Sequence, residues 1–302
     1  MKIIDSFLFY NELDLLEIRL NYLSPYVDYF IISEAHVTFN GKSKELYYFK
    51  NKQRYKKFHS KIIHNIIKSV PEDFSNFIKP DKRFTNYHFS YPHKHFGKPL
   101  IHQFKQFQRE VFLKDSQIIG ISKIAKPNDL LILGDLDEIP NHQVLKNIRK
   151  KVILKNQHIN LAMHWFMYYF NTKLNKEWFG IRICKYSYLD DKSVDLIRYP
   201  LEDRQLQKFK IIENGGWHFS FFGGEKMIKE KLNVSNYQGR KIHLFLRFID
   251  YLFPSRIGNI IKKNNDVLNM GRTLKIIDIK NEFPYELLEI IKKFPYMIRK
   301  SN

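Results

Sequence analysis

Apolar residues recur along this chain in two rhythms. KIIDSFLFY, residues 2–10, is a β-rich run with one acid, Asp5, inside it. NELDLLEIRLNYL follows at helical spacing: Leu13, Leu16, Leu20 and Leu23 share one face, and Asn11 is placed to cap the first turn. VDYFIISEA (27–35) and SKIIHNIIK (60–68) are further apolar runs. Strand, helix, strand in that order predicts an α/β class: a central, mostly parallel sheet flanked by crossover helices. Residues 100–124 read as one long amphipathic helix with a stripe of Leu100, Phe104, Phe107, Val111 and Ile118. DLLILGDLDEIP (129–140) reads as a central strand, apolar because both faces are covered, and residues 141–152 as the helix after it.

The second half has a different texture. INLAMHWFMYYFN, FGIRICKYSYL and KFKIIENGGWHFSFFGG are aromatic and strand-like, whereas GEKMIKEKLN, KIHLFLRFIDYLF and FPYELLEIIKKFPYMI are helical. No repeat and no linker-like shift interrupts them. The expected organisation is a main domain over residues 1–240 and a basic, helical C-terminal extension, 241–302, packed on it.

Composition narrows the classes. The 302 residues are 44% hydrophobic, enough for a large core. The net charge of +20 attracts polyanions, but the lysines are scattered and no nucleic-acid-binding motif accompanies them. Nucleic acid is therefore not the expected partner. The single cysteine, Cys184, excludes an internal disulfide and reads as a buried filler. Asp5 interrupts what would be a signal peptide's apolar core, and no apolar run is long enough to span a bilayer. The expected location is cytoplasmic. GRKIHLFLRFIDYLFPSR (239–256), with apolar residues among basic ones, suits a peripheral contact with an anionic membrane face.

The chemistry gathers where the central strand ends. Asp135, Asp137 and Glu138 follow a buried run directly, and carboxylates are costly to bury without partners. In open α/β sheets ligands bind at the carboxyl ends of the strands. Alternation along a strand turns Asp135 and Asp137 to one target and Leu136 to the core. Asp-x-Asp suits Mg²⁺ or Mn²⁺ bridging to a diphosphate.

The segment from Asp5 to Tyr48, DSFLFYNELDLLEIRLNYLSPYVDYFIISEAHVTFNGKSKELYY, resembles the opening of glycosyltransferase family 17. GDLDEIP, GGWHFSFFGGEKMIKEKLN and QFQRE resemble further family segments, in the right order. That family adds bisecting GlcNAc as β-1,4-mannosyl-glycoprotein 4-β-N-acetylglucosaminyltransferases. The resemblance implies a GT-A-like nucleotide-diphospho-sugar transferase fold, a UDP-GlcNAc donor, a divalent metal and inversion at the anomeric carbon. For this chain the acceptor expected is a saccharide or a glycolipid. Another donor hexose on the same fold, or a non-catalytic carbohydrate- or nucleic-acid-binding protein, remain the alternatives.

Asp137 and Asp135 are the expected metal ligands, with His218 completing the shell. Arg109 or Arg182 would clamp phosphates, and Trp217 would lie on the sugar's apolar face. Glu34, at the end of the second strand, would accept bonds from uracil or ribose, under a basic loop carrying Lys42 and Lys44. Phe7 and Asn11, about the end of the first strand, join the donor-side candidates. The general base is sought first at Glu213, then at Glu138, Glu202 or Asp203. Gly215 and Gly216 before Trp217, and Gly223 and Gly224 after it, would let backbone approach a ligand closely.

Overall fold

The computed structural model describes residues 1–74, 78–84, 101–149, 157–198, 210–234, 255–268 and 270–300, with backbone alone over 101–104. Its first half is a parallel sheet: β1 (Ile3–Leu8), β2 (Tyr29–Ala35), β3 (Ile62–Ile67) and β4 (Leu130–Leu133) lie in the order β4-β1-β2-β3. Asp5 stands between Phe30 of β2 and Ile132 of β4.

Beyond β4 the sheet is mixed, so the expectation of a mostly parallel sheet holds for the first half only. β8 (Arg182–Lys185) runs antiparallel to β4, and β6 (His158–Met167) antiparallel to β8. β7 (Thr172–Trp178) returns along β6 after a short turn, too short for a parallel crossover, and β10 (Leu274–Ile276) adds the edge. β9 (Lys210–Ser220) pairs with β6 and with the short β5 (Glu138–Pro140), curling the sheet back over the end of β4.

Alternate strand residues feed two cores. Ile3, Phe7, Leu130 and Ile132 join α1 (Leu13–Leu23), α5 (His142–Ile148) and α9 (Tyr285–Ile291) on one face. Ile4, Ile31, Leu131, Leu133 and Cys184 pack on the other beneath α3 (Ile101–Asp115), α4 (Gln117–Ser122) and α6 (Val194–Arg198). Among the described residues the other α-helices are the short α2 (Tyr47–Asn51), α7 (Gly224–Val234) and α8 (Arg256–Lys262). Phe283, Leu287, Ile291, Phe294 and Met297 complete the first core, so the end of the chain is part of the main packing.

Local expectations shift in instructive ways. The helix predicted over 100–124 breaks at Ser116, whose hydroxyl donates back to the Phe112 carbonyl. α1 starts at Leu13 with Glu12, not Asn11, at the cap and no side-chain cap bond. Asn141 does cap α5, accepting from the Gln143 amide at 3.0 Å. Among the described residues no helix is long and apolar enough to cross a membrane. The amphipathic stretch 239–254 lies outside the described residues.

Candidate active site

The acidic loop is fixed from below by a residue the apolar stripe conceals. Arg19 of α1 is fully buried, and its Nε and Nη2 grip both oxygens of Asp5 at 2.8 and 2.7 Å. Its Nη1 donates to the Asp135 and Leu136 carbonyls at 2.9 and 3.0 Å, and to that of Glu138. The acid inside β1 is thus the counter-ion of the guanidinium that shapes the turn after β4. The strand predicted over 129–140 ends at Leu133, so Leu136 enters the core from a turn and not by strand alternation, and Asp135 and Asp137 do not share a target.

The three carboxylates have separate partners. Asp135 takes Arg198 Nη1 on Oδ1 at 2.7 Å, and Arg198 Nη2 reaches Glu138 Oε2 at 3.1 Å. One guanidinium, at the end of α6, bridges both. Glu138 is fully buried and also accepts from Trp178 Nε1 at 2.6 Å and from the Asp135 amide at 2.8 Å. Asp137 Oδ2 receives Lys231 Nζ of α7 at 2.7 Å, while its Oδ1 faces His218 Nε2 across 3.7 Å. Burial alone would raise both aspartates, but the facing cations outweigh it. Arg198 holds Asp135 at about 2, and Lys231 with His218 holds Asp137 well below the carboxylate range.

Two tryptophans orient His218. Its ring stacks on Trp165, 5.6 Å between centroids, and lies 4.5 Å from Trp178. Trp178 therefore touches both His218 and, through its indole N–H, Glu138. Glycine permits this crowding: a Cβ on Gly180 would sit 1.8 Å from Glu138 Oε1 and 2.3 Å from Trp178 Nε1. Gly216 serves packing rather than a ligand, because a Cβ there would lie 2.2 Å from the Ile139 carbonyl oxygen on β5.

α7 crosses the carboxyl edge of the parallel strands and ties the loops together. Tyr10 donates to Glu230 at 2.7 Å, Lys231 lies 3.7 Å from Glu12, and Asn40 donates to the Asn233 carbonyl at 2.9 Å. The loops after β1, β2 and β4 thus meet under one helix, at the edge where such sheets bind ligands.

Other expected residues are placed elsewhere or serve the frame. Glu34 is fully buried: it accepts from the Tyr48 and Phe49 amides at the start of α2 and from His64, with Lys44 3.6 Å away. Arg109 donates to the Phe39 carbonyl at 2.7 Å and stands against Gly41, bracing the loop that carries the exposed Lys42. Phe7 is buried beneath the Arg19 guanidinium, and Trp217 is in the same core. Asn11, half-buried, lends its carbonyl to the Leu13 amide. Glu213 is exposed and five positions before His218 on β9, roughly 16 Å along the strand, so the fold does not bring it to Asp137. Glu202 and Asp203 lie outside the described residues. Arg19, Trp165, Trp178, Arg198 and Lys231 were not singled out by sequence; only the lone arginine on an apolar helix face was a visible signal.

Among the described residues no three His, Cys, Asp or Glu side chains form a metal-binding group. Asp137 and His218 nevertheless present one oxygen and one nitrogen to the same space, and divalent cations at phosphate-transfer sites take few protein ligands, the substrate's oxygens and water supplying the rest. Mn²⁺ accepts that pair. The Asp135 carboxylate is turned onto Arg198.

The family model of Glycosyltransferase family 17 matches residues 1–88 and 76–293 of this chain. No curated protein matches it.

Proposed function

We propose a specific reaction for this chain, which belongs to glycosyltransferase family 17 and is a glycosyltransferase, with a sugar donor and an acceptor. The donor is a UDP-sugar, most simply UDP-GlcNAc, bound on a GT-A-like frame. Its sugar passes to a saccharide or glycolipid hydroxyl with inversion. The observation that carries this reading is Asp137, at the carboxyl edge of the parallel strands, facing His218 and Lys231 together.

Transfer expels a nucleoside diphosphate, so negative charge grows on the leaving group. Asp137 and His218 would hold Mn²⁺ or Mg²⁺, which when bound would neutralise part of that charge. Lys231 brings a further positive charge to the same place, and its bond to Asp137 keeps the ammonium at the site before donor arrives. Arg198 and Glu138 act behind them: they fix Asp135 and the loop, so that little rearrangement is needed as charge develops. Glu138, saturated by Trp178, Arg198 and the Asp135 amide, acts as part of this frame rather than as the base.

UDP release from a panel of UDP-sugars, with Mn²⁺ and with chelator, tests the reading. Mn²⁺-dependent release with one sugar preferred is expected, and NMR of the product should give a β-linkage from the α-linked donor. Turnover undiminished by chelator would remove the metal from the proposal, and a retained α-linkage would remove inversion.

A further inference from the structure

β6 and β9 carry the proposed transfer site on one face only. Trp165 stands beside His218 in their register and stacks on it. The preceding pair, His164 beside Trp217, turns to the other face. There a cavity of about 380 Å³ opens, within the range of small-molecule sites. Trp217 and Phe283 close its floor, and His164, Asn214, Asn281 and Glu282 set polar groups around it. These groups can be reached from solvent: Asn214 and Asn281 are exposed, and the side chains of His164 and Glu282 are 26% and 11% exposed.

The sheet is irregular just here. Between the pairs Leu161–Ile212 and Met163–Gly216, one residue of β6 faces three of β9, Glu213 to Gly215. Bulges recur beside functional sites because they re-aim a side chain, and this one sets the Asn214 amide on the cavity wall. Asn214 takes φ +51°, which asparagine tolerates better than most residues. Its Oδ1 meets His164 Nε2 at 3.0 Å, and its carbonyl accepts from Asn141 Nδ2 at 3.3 Å. Glu282 holds His164 from behind, on Nδ1, and Lys173 donates to both Glu282 oxygens at 3.0 and 2.8 Å. The Nδ2 of Asn214 and the amide of Asn281 bond to none of the described residues.

The lining selects the chemistry of a ligand. No lysine or arginine of the described residues lines the cavity, so an oxyanion finds no cation to pair with. Arg182, expected to clamp a phosphate, is no part of it: fully buried on β8, its Nη1 donates to the Phe179 and Ile181 carbonyls at 2.7 and 3.2 Å. The one carboxylate, Glu282, is matched by Lys173 and His164 and has no charge to spare for an organic cation. Two open amides over an aromatic floor remain. An amide donates and accepts at once, as neighbouring hydroxyls on a pyranose do, and the ring's C–H groups pack on aromatic carbon.

We propose that this cavity binds a neutral sugar unit of the acceptor, outside the transfer site, with Asn214 and Asn281 on adjacent hydroxyls. That the sugar belongs to the acceptor rests on the transferase reading; the cavity's choice of a neutral sugar does not. Asn141 borders the cavity and lies four residues from Asp137, at most about 14 Å of chain, so both places are within reach of one short oligosaccharide. The enzyme is then one that favours acceptors of several units over single sugars.

The test uses the full chain with GlcNAc, glucose, galactose and mannose, and with glucuronate as the acidic control, in saturation-transfer NMR and calorimetric titration. UDP with Mn²⁺ is run in parallel as the measure of the donor reading. At least one neutral sugar should bind, with glucuronate no better than glucose, and saturating UDP should leave that binding in place. Asn281→Ala should weaken it about fivefold, as loss of one neutral hydrogen bond does. Asn214→Gly should do the same with the fold kept, because glycine takes φ +51° freely. Neither variant should alter the UDP response. No binding of a neutral sugar, a preference for glucuronate, displacement by UDP, or an affinity unchanged in either variant would overturn the proposal while a UDP response still upheld the transferase. Sugar binding that both variants weaken, in a chain that ignores UDP with Mn²⁺, would keep the cavity and strike the donor reading.

Discussion

Lys231 Nζ lies 2.7 Å from Asp137 Oδ2, joining a helix late in the chain to the tip of its central strand. The ammonium stands where a divalent cation would compete for the same carboxylate. Replacing Lys231 with Met should therefore raise the affinity for Mn²⁺ several-fold, measured from the EPR signal of the free ion, and lower kcat by about tenfold or more as a transition-state charge is lost. An unchanged Mn²⁺ affinity would detach Asp137 from the metal.

Asp137→Asn keeps the size and removes the charge. It should abolish measurable transfer with the circular dichroism of a folded chain, and lower the melting transition, because the buried carboxylate is held in its charged form by Lys231 and His218. A variant that unfolds would make Asp137 chiefly structural.

Arg19 is a different case, a buried cation with a buried counter-ion and three loop carbonyls. Arg19→Met strands Asp5 without its partner and should cost about 3–5 kcal/mol in urea unfolding. Restoring apolar balance with Asp5→Leu in the same chain should recover part of that loss. If Arg19→Met were as stable as the wild type, the pair would not be what pins the loop.

Gly180→Ala tests how closely the frame is packed. With Glu138 Oε1 1.8 Å from the added carbon, either the carboxylate or the β7–β8 turn must move. A loss of about 1–3 kcal/mol is expected, together with quenching or shift of Trp178 fluorescence as its bond to Glu138 breaks. Wild-type stability and fluorescence would contradict the contact.

Asp135 supplies a pH dependence. Its folded value, about 2, lies below the ordinary 3.8, so folding favours the charged form. That contribution is whole above about pH 4 and is lost as the pH falls through about 2. With the side chain 40% exposed, solvent screening reduces it to about 1 kcal/mol. Asp135→Asn should flatten the acid limb of the stability curve by that amount; an identical limb would mean that Arg198 does not hold this carboxylate.

The legible parts of this protein are those whose cause is local. Leu16, Leu20 and Leu23 fall on the core face of α1 because a helix repeats every 3.6 residues. Leu130–Leu133 reads as a doubly covered strand because four successive apolar side chains must all be buried. The acids after it read as a site because nothing in an apolar strand accounts for them. Even Asp5 was legible as an oddity, though not what it pairs with.

The sequence by itself thus determined the parallel half of the sheet, the place where its strands end and the acids set there. The tertiary structure alone decided how those acids are used: Arg198 on Asp135 and Glu138, Lys231 and His218 on Asp137, Arg19 on the loop backbone. It also moved Glu34, Trp217 and Phe7 into the frame and left Glu213 far along its strand. Periodicity records which face of an element is buried, within a few residues of chain. An ion pair across 63 or 94 residues depends on how whole elements cross, and no local pattern carries that.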